Sequence, residues 1–204
     1  MGDIRSPKPV KLLVGMLAQR PEWLDAAERL LAADFGPIDL ASDLIPFDFT
    51  DYYAPEMGPR LLRKFVTHER LIRPGDIAAI KLRTNQLEAE LARELAAPVP
   101  RPVNLDPGYL DGSKLVLATT KDYVHRIYLS GGIYAEITLT YRKGSYAPTP
   151  WTYRDYATPP YLAFFAKARA RYLAQLKTAS PICPTGPIRP MGHMGPMGPE
   201  GPSG

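Results

Sequence analysis

Apolar and polar positions alternate along this chain with two different periods. Val10–Leu17, VKLLVGML, is a short and nearly continuous apolar run bounded by turn residues, which predicts a buried strand. In PEWLDAAERLLAADFG, Trp23, Ala27, Leu30 and Leu31 recur at helical spacing. Pro21 suits the first turn of that helix and Gly36 its end. Segments 38–49 and 60–72 read as extended, joined by the loop TDYYAPEMGP. In the second, Leu62, Val66 and Ile72 share one face, and Arg63, Thr67 and Glu69 share the other. Lys64, His68 and Arg70 interrupt the pattern, so partial burial is expected there.

Ile77–Leu82 reads as a further short strand. NQLEAELAREL follows, with Leu87, Leu91 and Leu95 as an i, i+4 stripe. Asn85 and Glu88 have capping-box spacing, which predicts the helix start. APVPRPVN is an extended connector, because its prolines cannot continue a helix. Two or three strands are expected over 114–142, where Ile133, Ala135, Ile137, Leu139 and Tyr141 alternate with Tyr134, Glu136, Thr138, Thr140 and Arg142. Thr158 before Pro159-Pro160 starts a last helix through about Lys177. Leu162, Phe165, Tyr172, Leu173 and Leu176 form its apolar side, and Lys167, Arg169 and Arg171 a basic, solvated side.

The pattern as a whole predicts an α+β fold: one domain over residues 1–178, a mostly antiparallel mixed sheet and about three helices. Residues 179–204 change character. Glycines at 192, 195, 198, 201 and 204 follow the collagen triplet, but the few triplets are too short for a triple helix, so a flexible and dispensable Gly/Pro tail is expected.

Composition narrows the function classes. With 45% hydrophobic and 23% charged residues in 204, the chain is globular in type. The net charge of +4 is spread over 25 basic and 21 acidic residues, more diffuse than a dedicated duplex-DNA surface. A single cysteine, Cys183, excludes an internal disulfide. The apolar run Val10–Ala18 is too short to span a bilayer, and a cytoplasmic location is the expectation.

Common phosphate, zinc and hydrolase signatures are missing, including G-x-x-x-x-G-K-[ST], G-x-G-x-x-G, H-E-x-x-H, G-x-S-x-G and C-x-x-C. What chemistry there is concentrates in DPGYLDGSKLVLATTKDYVHRIYL, Asp106–Leu129. Asp106-Pro107-Gly108-Tyr109 fits a type II turn, and Asp111-Gly112 marks another. Two successive turns would gather free N–H groups into an anion-binding nest beside Ser113 and Lys114; the competing reading is a solvated double turn.

A three-residue hairpin loop, Ser130–Gly132, segregates apolar from polar residues. It pairs Leu129 with Ile133, Ile127 with Ala135, His125 with Ile137, Tyr128 with Tyr134 and Arg126 with Glu136. Arg126 and Glu136 then belong to a polar aromatic face, either a ligand platform or a surface under a helix. His125 falls on the apolar face, as a satisfied core histidine or as an acid/base group. Lys81 lies near a predicted helix N-terminus, Lys121 before the hairpin, and Glu56 and Asp155 in two tyrosine-rich loops that either cover a pocket or pack on the surface.

EMGPRLLRKFVTHERLI, IKLRTNQLE, NLDPGYLDGSKLVLATTKDYVHRIYL and GIYAEITLTY resemble a prokaryotic single-domain family of unknown function, over roughly residues 8–177. Some members carry the label GTP-binding protein, and the resemblance implies a compact domain without transferable catalytic residues.

The expectation is a protein that binds a phosphate-bearing ligand, a nucleotide or RNA, through Lys81, Asp106, Ser113, Lys114, Lys121 and Arg126. Magnesium would accompany a nucleotide. Two alternatives stand beside it: an enzyme on such a ligand with His125 and Glu136 as acid and base, and a non-catalytic protein-interaction module.

Overall fold

A computed structural model describes residues 2–178, so the expected Gly/Pro tail lies outside the described residues. The architecture is α+β, with nine strands in one sheet, every pairing antiparallel, and four α-helices. The strands are β1 (Val10–Ala18), β2 (Ile38–Ala41), β3 (Ile45–Phe47), β4 (Leu61–Ile72), β5 (Val103–Leu110), β6 (Lys114–Thr119), β7 (Ile127–Ser130), β8 (Ile133–Arg142) and β9 (Ser145–Pro148). The helices are α1 (Pro21–Phe35), α2 (Ala54–Met57), α3 (Ile77–Glu94) and α4 (Pro159–Thr178). The sheet runs β2-β4-β1-β5-β6-β8-β7, with β3 paired to β4 and β9 to β8. Among the described residues no helix is long and apolar enough to cross a membrane.

The central strands are buried on both faces. Val10, Leu12, Val14 and Met16 of β1 pack with α1 and α3. Leu13 faces the other way, into a cluster with Phe65 and the α4 residues Tyr161, Phe164, Phe165 and Tyr172. Phe65 lies in edge or stacked contact with four rings, 4.7–5.8 Å between centroids. Because α4 covers this second face, Arg63 and Thr67 on the polar side of β4 are buried too, while His68 is enclosed at the α1 end, edge-on to the Phe35 ring at 5.8 Å; all three are at most 2% exposed. The partial burial expected of β4 holds at Lys64, half-buried, and Arg70, exposed, but not at His68, which is fully enclosed. His68 Nδ1 donates to the Gly36 carbonyl at 2.8 Å, and burial holds its pKa below the usual histidine value.

Polar groups also join α4 to the sheet. Buried Lys11 pairs with Asp39, which accepts as well from Thr67 (2.6 Å) and Arg171 (2.6 Å). The basic side expected to be solvated is thus partly engaged, since Arg169 also stacks 3.5 Å over Tyr141.

Residues 77–82 are helix, not strand. Ile77, Ile80, Lys81, Thr84, Leu87 and Leu91 form the buried stripe of one helix, α3, started by a 3-10 turn at Pro74–Asp76. A six-residue apolar run carries no period that separates a strand from a buried helical turn. Asn85 and Glu88 are consequently mid-helix and cap nothing; the Glu88 carboxylate instead accepts from the Leu105 N–H at 2.7 Å.

Asp106–Tyr109 is not a turn either. It lies inside β5, with Pro107 opposite Val14 and Gly108 opposite both Leu13 and Leu117. A side chain at Gly108 would put Cβ 2.3 Å from the Val116 carbonyl, so glycine serves here for close strand approach.

Candidate functional site

β5 and β6 pair only at Gly108–Leu117, Tyr109–Val116 and Leu110–Leu115. Beyond Gly108 they separate, while β5 stays paired with β1 and β6 with β8. The split leaves the Leu105 main chain without a partner on the β6 side, although Leu105 stays opposite Met16 of β1. Lys81 Nζ donates to its carbonyl at 2.8 Å and Glu88 accepts from its N–H, so two α3 side chains replace the missing ladder bonds. The N–H and C=O of residues two apart point the same way along a strand, so Pro107, which has no N–H, forfeits nothing on this edge.

Above the split is a cleft of about 630 Å³, walled by the loops 48–57 and 149–158 and by the segment after β6. The tyrosine-rich loops thus line a pocket, contributing Tyr52, Tyr53, Tyr153 and Tyr156. Six basic side chains reach it, Arg63, Lys81, Arg101, Lys121, Arg126 and Arg154, against five acidic ones, Glu56, Glu88, Asp106, Glu136 and Asp155.

The floor is an ion-pair cluster. Arg63 sits 3.4 Å from both Asp106 and Asp155. Its guanidinium lies 5.2 Å from the Phe47 ring and 5.6 Å from that of Phe65. Gly15 makes room for it, because a Cβ there would fall 3.2 Å from Arg63 Nη1. Burial acts to lower the Arg63 pKa, but Tyr156, Asp106 and the other neighbours outweigh it and raise it. Burial raises the Asp155 pKa against the pull of Arg63. Asn104 Nδ2 donates to Asp106 at 2.7 Å, and Arg101 Nη1 to Asn104 at 2.9 Å. Glu88, lining the cleft from α3, is pushed up to about 7 by burial, against the pull of Lys81.

The side wall is built around Glu136. Arg126 Nε donates to its Oε2 at 2.8 Å, His125 Nε2 lies 3.0 Å from the same oxygen, and Arg126 Nη2 donates to Tyr153 at 2.7 Å. The hairpin keeps two of the expected pairings, Ile127 with Ala135 and Tyr128 with Tyr134, but an irregularity shifts Ser130, rather than Leu129, opposite Ile133. The expected faces are exchanged at the centre of the hairpin, where Glu136 and Thr138 are buried and Ile127 is 72% and Ile137 41% exposed, while Ile133 stays buried as expected. The reason is the cleft, which draws the polar face inward. His125 therefore leaves the apolar face, stacks on Trp151 at 5.1 Å, and braces Glu136 from behind.

Five of the eight expected residues, Lys81, Asp106, Lys121, Arg126 and Glu136, line this one cleft. Ser113 and Lys114 do not. Their turn carries no open nest, because Asp111 Oδ1 accepts from the Ser113 and Lys114 amides at 2.6 and 2.9 Å and Oδ2 from Lys114 Nζ at 2.6 Å. Arg63, Glu88, Arg101 and Arg154 were missed. Glu88 was legible as the end of an i, i+4, i+7 stripe, Lys81–Asn85–Glu88, once the helix is extended. Arg63 carried no signal beyond a charge in a strand.

The rim differs from the floor. Lys121 Nζ meets the Tyr52 side chain, donating to its hydroxyl at 2.8 Å and lying 4.4 Å from its ring centre, and neither Lys121 nor Arg154 has a carboxylate partner among the described residues. No group of three or more His, Cys, Asp or Glu side chains able to hold a metal ion occurs among the described residues. Asp106 and Asp155 are both engaged with Arg63, so the residues present do not fit a protein-held magnesium.

No curated protein and no solved structure matches the chain. A family model described as a domain of unknown function (DUF4416) matches residues 8–172, and the chain belongs to that family.

Proposed function

We propose that the cleft binds a phosphate-bearing small molecule of nucleotide size. One observation carries this reading: two rim cations, Lys121 and Arg154, lack acidic partners and stand over a cleft lined by tyrosine rings. The volume falls within the ~300–1,000 Å³ usual for small-ligand sites. Phosphate would take Lys121 and Arg154, with Arg126 beside them; an aromatic or apolar moiety would lie against Tyr52, Tyr53 and Phe49. A walled cleft of this size suits one nucleotide unit better than the continuous basic track an RNA strand uses. Binding of a nucleotide panel, read by calorimetry, tests the proposal. Lys121→Ala with Arg154→Ala should weaken binding at least tenfold, and Lys114→Ala should leave it unchanged. Equal affinity of the rim variant and wild type would refute it.

A second reading is favoured by Glu88, a cleft carboxylate whose pKa of about 7 suits proton transfer at neutral pH. Glu136 suits that role less, because Arg126 and His125 already share its outer oxygen. Turnover of phosphoesters, lost in Glu88→Gln but kept in His125→Ala, would establish it.

A further inference from the structure

Among the described residues, no strand pairs with the outer edge of β7. β7 is the terminal strand and all four of its residues are exposed. Around it lie Ile127 (72% exposed), Leu129 (40%), Ile137 (41%), Val124 (95%), Tyr123 (64%) and Trp151 (40%). They are joined in space as well as sequence. Ile127 and Ile137 share a face across β7 and β8, Ile137 lying two residues beyond Ala135, the partner of Ile127, and Leu129 stands exposed at the irregularity beside them. Trp151 Nε1 donates to the Ile137 carbonyl at 2.9 Å and so fills the gap between β7 and β9.

Edge strands of monomers are ordinarily protected by lysine, proline or inward charge. β7 reads Ile-Tyr-Leu-Ser and has none of these. The one charged side chain from Tyr123 to Ser130 is Arg126, and its head is turned inward to Glu136; His125 turns to the same oxygen. From Tyr123 to Ser130 no charged head group faces a second copy of the strand. The six side chains leave on the order of 600 Å² open, taking ~150–250 Å² for each large side chain. With main chain and rim added, that approaches the roughly 800 Å² each partner contributes to a standard interface. An unpaired strand meets its match most simply in the same strand related by a two-fold axis, where apolar faces and free main-chain groups coincide.

We infer that this edge is a homodimer interface, formed by antiparallel pairing of β7 with β7 of a second copy. The inference is independent of what the cleft binds. Its test is sedimentation and light scattering of the full chain at 1–100 µM (on the order of the concentrations at which such interfaces assemble), with Val124→Asp/Ile127→Glu as the variant. Both residues are exposed, so the variant should melt within a few degrees of wild type. Wild type should have twice the chain mass and the variant the single mass. Amide exchange at Ile127–Ser130 should be slowed at least tenfold in wild type relative to the variant. A monomeric wild type overturns the inference, leaving the edge to another partner. A dimer that survives the double substitution overturns it as well.

Discussion

Arg126 and Glu136 share a buried ion pair, with Arg126 Nε 2.8 Å from Glu136 Oε2 and side-chain exposures of 7% and 2%. Removing the carboxylate leaves a guanidinium enclosed without its counter-charge. Glu136→Ala should cost about 3 kcal/mol, the range for breaking a buried pair. At ~2–4 °C per kcal/mol for a domain of this size, calorimetry should find the melting point lower by about 6–12 °C.

A pair lacking such enclosure behaves differently. Lys121 and Arg154 are exposed, so changing either to alanine should move stability by less than about 0.5 kcal/mol, measured by urea unfolding. Any loss of nucleotide affinity in these variants then reports on the cleft rather than on folding.

How much of this was legible in the sequence divides along physical lines. The helix from Pro21 to Gly36 and that from Pro159 were readable because proline, glycine and a 3.6 period agree there. α3 was cut in two because its first turns are apolar all round and Asn85–Glu88 imitates a cap. Asp106–Tyr109 has turn residues for a reason local statistics do not contain, the approach of Val116 to Gly108. Lys81, Asp106, Lys121, Arg126 and Glu136, chosen for their charge, fall on the cleft, although Lys81 was expected on a strand and Asp106 in a turn. Arg63 and Glu88 were not chosen, since their meaning depends on which strands separate.

Gly108 yields a sharper prediction. Gly108→Ala places Cβ 2.3 Å from the main-chain oxygen of Val116 and 2.7 Å from Leu117 Cδ2. Backbone does not yield as a flexible side chain does, so a loss of at least ~1–3 kcal/mol is expected in denaturant titrations.

The pH dependence of stability follows from Glu88. Burial raises its folded pKa to about 7, from the 4.5 of a free glutamate. The folded state therefore binds more protons than the unfolded one between these values, and stability falls as pH rises through that window. The loss is complete above about 7 and amounts to up to ~3 kcal/mol at ~1.4 kcal/mol per unit. Glu88→Gln keeps an acceptor for the Leu105 N–H and removes the titration. Its stability relative to wild type should climb from pH 5 to pH 8, and a flat difference would refute the assignment.

The opening between β5 and β6 separates shape from chemistry in this protein. Its existence depends on main-chain features, Pro107, Gly108 and the divergence of two strands, with Lys81 and Glu88 bonded to the main chain of Leu105 that β6 leaves unpaired. Asn85, Lys121, Arg154 and Tyr52 of the cleft support no strand, unlike Arg63, Asp106 and Glu136, which are held in ion pairs. Those positions can be exchanged without closing the hollow, because none of them bonds the main chain of the separated strands.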